Sequence, residues 1–133
     1  MLRKVLNAKI HHATVTETHE DYVGSITIDA ALLRETGIHP NEAVLIADME
    51  NGNRFETYVF RGEPDTGIIA VNGAAAKLVG PGHRLIIMNF GYLDAADLAD
   101  HAAKVVVVDE RNRIAQRLEY PSSLEMPAVI SSL

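Results

Sequence analysis

The chain has 133 residues, 47% of them hydrophobic and 23% charged, with no cysteine and a formal charge of −6. That length and composition predict one globular domain with a core of Val, Ile, Leu and Ala. The acid excess and the lack of any Lys/Arg run exclude nucleic-acid binding through phosphate neutralisation, and the lack of cysteine excludes disulfides, thiolate catalysis and Cys-based zinc sites.

The opening "MLRKVLNAKIHH" has no continuous apolar stretch, so no secretory leader is expected. No apolar run approaches the ~18 residues of a membrane span, so a cytoplasmic protein with no membrane partner is the default expectation. Residues 3–18, rich in Val, Thr, Ile and His, predict one long strand. "DYVGSITID" (21–29) reads as a loop entering a short strand, with Asp29 as N-cap of a helix over "DAALLRETG" and Gly37 just past its end. "AVLIA" (43–47), "GIIAV" (67–71), "RLIIMNF" (84–90) and "KVVVVD" (104–109) are apolar runs without alternation, which predicts strands buried on both faces. Asn51-Gly52 marks a hairpin, and "DERN" (109–112) marks a second. Two further short helices are expected, over "NGAAAKLVG" with Asn72 as a candidate cap and over "DAADLADHAA" with Asp94 as cap. The pattern is mainly β with short helices, a small closed barrel rather than a doubly wound sheet. "EYPSSLEMPAVISSL" (119–133) has no periodicity and reads as a mobile tail, or as a segment ordered only against a neighbouring subunit.

Several residues invite chemistry. His11 and His12 are adjacent, so on a regular strand they face opposite ways and cannot chelate together. Asp97 and His101 have helical ligand spacing but no third partner nearby in sequence, so no metal is expected. On a strand over "NRFETYVF", Arg54, Glu56 and Tyr58 share one face while Phe55, Thr57 and Val59 share the other. Arg54 and Tyr58 then offer a fixed cation and a weak acid, although taken alone the pattern is more often an edge strand with a polar solvent face. Lys9 and His11 share a face of the first strand. The N–H groups of Gly73, Ala74 and Ala75 open a helix, so they either bind an anion or are simply capped.

The Gly24-Ser25 pair offers the sharpest chemistry. A serine hydroxyl can attack its own upstream carbonyl in an N-to-O acyl shift. Elimination from the resulting ester leaves dehydroalanine, and hydrolysis leaves a pyruvoyl group and ammonia. Glycine suits the preceding position because it tolerates strained backbone. The dipeptide alone is common in turns.

Its company is informative. "YVGSITID" (22–29), Asn41-Glu42, "NGNRFETY" (51–58) and "NGAAA" (72–76), in that order and spacing, resemble the aspartate 1-decarboxylase family over residues 1–118. The resemblance implies a double-psi β-barrel, a closed six-stranded barrel assembled as a homotetramer with active sites between subunits. It implies a covalent pyruvoyl group derived from Ser25 by self-cleavage after Gly24, with neither metal nor pyridoxal phosphate. L-aspartate would form a Schiff base with that group, lose its α-carboxylate and be released as β-alanine for pantothenate synthesis. Tyr58 would donate the proton at the former α-carbon. Lys9 and Arg54 would hold the two carboxylates, in an order the sequence leaves open. Gly73, Ala74 and Ala75 would add N–H donors. Thr57 would polarise the Gly24 carbonyl during cleavage and line the substrate site. His11, Tyr22 and Asn72 are pocket neighbours, and a maturation factor remains an open partner. The competing reading is a non-catalytic oligomeric barrel that serves as a binding or regulatory module. It would tolerate the loss of Lys9, Ser25, Arg54, Thr57 and Tyr58, all of which are present.

Overall fold

The computed structural model describes residues 1–131, which form ten strands, one α-helix and two 3-10 helices. β1 (Leu2–Thr14) is followed after two residues by β2 (Glu17–His19). The single strand expected over 3–18 is therefore broken at Val15 and Thr16. Both N–H groups at the break find new partners, Val15 on the His83 carbonyl and Thr16 on that of Ile69, so the chain changes neighbours without orphaning a donor.

β3 (Ser25–Asp29) runs into α1 (Ala30–Thr36). The Asp29 carboxylate accepts from Ala31 N–H, and Gly37, at φ 79°, closes the helix with its N–H on the Leu33 carbonyl. A helix of 7 residues is too short to hold by itself and depends on burying Leu32 and Leu33. β4 (Ala43–Asp48) and β5 (Arg54–Gly62) form the first hairpin, with Ala43 opposite Tyr58 and Ala47 opposite Arg54. β6 (Ile69–Asn72) leads into a 3-10 helix over Gly73–Leu78. β7 (Arg84–Asp94) outruns its apolar core because Gly91 to Asp94 keep pairing with Val5 to Leu2 of β1. A second 3-10 helix, Ala95–Asp100, is capped by Asp94 and precedes β8 (Ala102–Val108) and β9 (Ile114–Pro121), the second hairpin. β10 (Ile130–Ser131) pairs back on Glu119 and Leu118. The segment set apart from residue 119 thus begins by completing β9; its residues 132–133 lie outside the described residues.

The strand order is β10-β9-β8-β1-β7-β4-β5-β3-β6-β2, ten paired strands rather than six. The surplus arises because the opening strand splits in two and because β8, β9 and β10 add to the free side of β1, β8 in parallel register from Ala8–Lys104 to His11–Val107. The ladder that leaves β1 through β7, β4, β5, β3 and β6 ends on β2, the continuation of the segment where it began. Ile10, Ile26, Ile28, Ile46, Ile69 and Ile87 are fully buried between these strands. Each stabilises the fold by roughly 1.5–3 kcal/mol relative to an exposed side chain.

Two expectations about histidines change. A bulge lies between His11 and Ala13, with His12 at φ 71°, so the alternation of faces fails there. The two rings stack with centroids 4.0 Å apart rather than facing opposite ways. His101 lies beyond the end of its helix, and its Nε2 sits 2.9 Å from the Leu6 carbonyl oxygen. Its helical pairing with Asp97 is therefore absent. Among the described residues no group of three His, Asp or Glu side chains could hold a metal ion.

Candidate active site

The Gly24-Ser25 junction is built by three segments. β3 and β6 pair antiparallel with Ser25 opposite Asn72, so the two side chains share a face. Ser25 is fully buried, and Asn72 Nδ2 donates to its Oγ at 2.9 Å and to Thr27 Oγ1 at 3.1 Å. Asn72 therefore makes no side-chain cap for the 3-10 helix that follows it, contrary to the capping role that its position suggested. Its amide is turned back onto β3 instead. Ser25 Oγ also lies 3.5 Å from the Val23 carbonyl oxygen, at the limit of a weak contact.

Gly73 packs onto the other side of the junction. It sits at φ 78°, and a methyl group there would stand 2.5 Å from Gly24 Cα and 3.3 Å from the Tyr22 carbonyl oxygen. Only glycine satisfies both the left-handed backbone and this approach. The loop before Ser25 is closed by the Tyr22 N–H on the His19 carbonyl, and the Tyr22 ring stacks on His19 with centroids 4.3 Å apart. A cavity of about 540 Å³ flanks the junction, lined by His19, Tyr22, Val23, Thr27, Phe60 and Asn72.

β5 runs parallel to β3, with Val59 opposite Ile26 at the start of the ladder. Continued one step back, to the first residue of β3, that register sets Tyr58 level with Ser25, and Thr57 precedes Tyr58 on β5. Tyr58 packs edge-on against Phe60, with centroids 5.6 Å apart. Thr57 faces the other way with buried Val59, and among the described residues no hydrogen bond joins it to Gly24. Arg54 opens the same strand and is exposed; Ala74 is exposed, and Ala75 is half-buried against the core.

Lys9 and His11 lie elsewhere. Lys9 on β1 is opposite Met88, which is opposite Leu45, which is opposite Glu56. Three ladder steps separate it from β5, about 14 Å along the sheet. One chain therefore brings together Gly24, Ser25, Asn72 and Gly73, sets β5 beside them, and leaves Lys9 and His11 apart. The Nδ1 atom of His11 is buried without a hydrogen-bond partner among the described residues. Burial, then the neighbouring His12, then Lys9 hold the His11 imidazole below its ordinary pKa.

Thr27 and Phe60 belong to this neighbourhood although the sequence reading passed over them. Thr27 was within reach, since it lies two residues from Ser25 and so on the same strand face. Phe60 had no such signal beyond sharing a face with Tyr58.

A family model described as aspartate decarboxylase matches residues 1–115. Two relatives named aspartate 1-decarboxylase are similar over most of their length. The one from Staphylococcus carnosus strain TM300 is 50% identical over 118 residues, 89% of this chain and 93% of its own. The one from Acetivibrio thermocellus is 51% identical over 114 residues, 86% of this chain and 90% of its own. A rationally designed protein of solved structure, mkDPBB_sym1, aligns over 65% of this chain and 99% of its own with a TM-score of 0.43 and 20% identity.

Proposed function

The chain belongs to the aspartate decarboxylase family, an enzyme that releases CO₂ from aspartate, and on that premise we propose that its catalyst is a pyruvoyl group made from its own Ser25. The product is then β-alanine, the precursor used in pantothenate synthesis. The observation that carries this reading is the treatment of one peptide bond. Ser25 Oγ is buried and held by Asn72 Nδ2 at 2.9 Å, while Gly73 packs so closely that a Cβ on it would stand 2.5 Å from Gly24 Cα. These residues fit the group: the hydroxyl that must attack the Gly24 carbonyl has one donor fixing it, and Gly73 packs directly against the backbone on which it acts.

In this reading Ser25 Oγ adds to the Gly24 carbonyl carbon and the Gly24–Ser25 C–N bond breaks, giving an ester and a free amine at Ser25. Loss of the Ser25 α-proton expels the Gly24 carboxylate and leaves dehydroalanine. Water replaces its nitrogen, released as ammonia. Thr57, next to Tyr58 on β5, is assigned to polarising the Gly24 carbonyl during the first step. The fragments are residues 1–24 and 25–133. When formed, the keto-acyl end supplies an acceptor for the electron pair left by departing CO₂.

The remaining assignments concern binding and proton transfer. Tyr58 on β5 delivers the proton to the former α-carbon, a positioned phenol hydroxyl being a competent general acid. Arg54 and Lys9 hold the substrate carboxylates, with N–H groups of Gly73, Ala74 and Ala75 as further donors. Tyr22 borders the pocket of its own chain, and His11, which lies with Lys9, is assigned to border the pocket of the neighbouring protomer. Lys9 is too far along the sheet to serve the Ser25 of its own chain, which supports a site shared between protomers, and we assign the assembly as a homotetramer in which a neighbouring protomer brings Lys9 across the interface. The strands from β1/β2 to β7 are assigned to a closed double-psi β-barrel. The decarboxylase domain is assigned to residues 1–118, and the segment from residue 119 follows it, its first residues continuing β9. No helix among the described residues is long and apolar enough to cross a membrane, and we assign the enzyme to the cytoplasm.

Intact mass under denaturing conditions tests the cofactor directly. Two fragments are expected, the longer one lacking a free amino terminus. Incubation with aspartate and borohydride should add a stable adduct to the fragment starting at residue 25. A single uncut chain after long warm incubation, or an adduct-free fragment, overturns the reading.

A further inference from the structure

Resting on the reading of Lys9 as a substrate cation, we propose that Tyr120 is the positioning residue for Lys9 and so helps set the affinity for the dicarboxylate substrate. Lys9 Nζ stands 5.0 Å from the centroid of the Tyr120 ring, within the range of a cation–π contact. The strand register explains the meeting. Lys9 on β1 is opposite Val105 of β8, and Tyr120 on β9 is opposite Ala103 of β8. Residues 103 and 105 are two apart, so all four side chains share one face. The small Ala103 beneath the ring leaves space for it to lean diagonally over β8 toward Lys9.

The chemistry of the contact suits a substrate cation. A lysine chain has four rotatable carbons and loses much freedom on being fixed. An aromatic face fixes the ammonium without cancelling its charge, whereas a carboxylate partner would occupy it. The ion pairs among the described residues involve other cations, and none engages Lys9. Its charge is therefore left for an anion that arrives later. Tyr120 also lies beyond residue 115, where the match to the family ends. The chain that follows the matched region thus supplies part of the support for a residue near its start.

The test is steady-state kinetics on the full self-processed enzyme. Tyr120→Leu removes the π face and is expected to raise the KM for aspartate by about two- to tenfold with little change in kcat, the range of a partly exposed cation–π contact. Tyr120→Phe keeps the face and should restore the original KM. Lys9→Met should raise KM on its own, and adding Tyr120→Leu to it should raise KM no further. A merely structural tyrosine would lower the thermal midpoint and shift kcat and KM alike in both the Leu and Phe variants. Should Tyr120→Leu fail to fold, Tyr120→Met carries the same expectation. If Lys9→Met raises KM and Tyr120→Leu does not, this inference falls alone. If Lys9→Met leaves KM unchanged, the reading of Lys9 as a substrate cation falls with it.

Discussion

Gly73 lies directly against Gly24, two glycines 49 positions apart whose backbones meet because β6 delivers the first beside the loop that precedes β3. Replacing Gly73 by Ala would place a methyl carbon 2.5 Å from Gly24 Cα, on a backbone held at φ 78°. Something must shift, and the neighbouring atoms are backbone. The Gly73→Ala variant is expected to lose about 1–3 kcal/mol of stability and most of its self-cleavage. Thermal unfolding and intact mass against time measure both; normal scission in a fully stable variant would contradict this packing.

Asn72 is expected to act on the rate of cleavage more than on the fold. Its Nδ2 is the donor that fixes Ser25 Oγ. A typical neutral hydrogen bond contributes about 0.5–1.5 kcal/mol net, so Asn72→Ala should cut the chain about two- to tenfold more slowly while still folding. Following the appearance of the 25–133 fragment decides the matter, and an unchanged rate removes Asn72 from the processing apparatus.

Tyr58→Phe separates processing from turnover. The edge-on packing against Phe60 at 5.6 Å needs only the ring, so the variant should fold and self-cleave. Without the hydroxyl, β-alanine formation should drop by about 10²–10⁴-fold, the usual worth of a positioned proton donor. Turnover within a factor of two of the parent would reassign that proton to another group.

His11 gives the fold a pH dependence of definite sign. Burial, His12 and Lys9 lower its pKa below the ordinary 6.5. In the window between that lowered value and 6.5 the unfolded chain binds the proton and the folded chain does not, so stability rises with pH across it. The contribution is complete above pH 6.5 and is lost as pH falls toward the folded-state pKa. Urea midpoints at about pH 7.5 and pH 5.5 should therefore differ more for the parent than for His11→Gln. Equal differences would show that His11 titrates alike in both states.

Much of this was readable in advance where the cause is local. Asp29 and Gly37 bracket α1 as their chemistry dictates, and Asn51-Gly52 does sit in the first hairpin turn. Ser25 was singled out by a dipeptide and its company, and Tyr58 and Thr57 were separated onto opposite faces by the period of a strand. The failures came where a non-local partner outbid the local rule. Asn72 has a cap residue's position, but Ser25 and Thr27 across the ladder claim its amide. The His11–His12 pair obeys alternation only on an unbroken strand, and the bulge opposite Ile86 and Leu85 breaks it.

By itself, then, the sequence pointed to the Gly24-Ser25 dipeptide, the side chains proposed to serve it and the short elements that carry them, because each depends on neighbours within a few residues along the chain. Only the tertiary structure decided that Gly73 would press on Gly24, that Lys9 would stand apart from Ser25, and that Tyr120 would reach it across β8. Those relations follow from strand order and register, and register is fixed by the burial of whole faces at once, which no single stretch of sequence expresses.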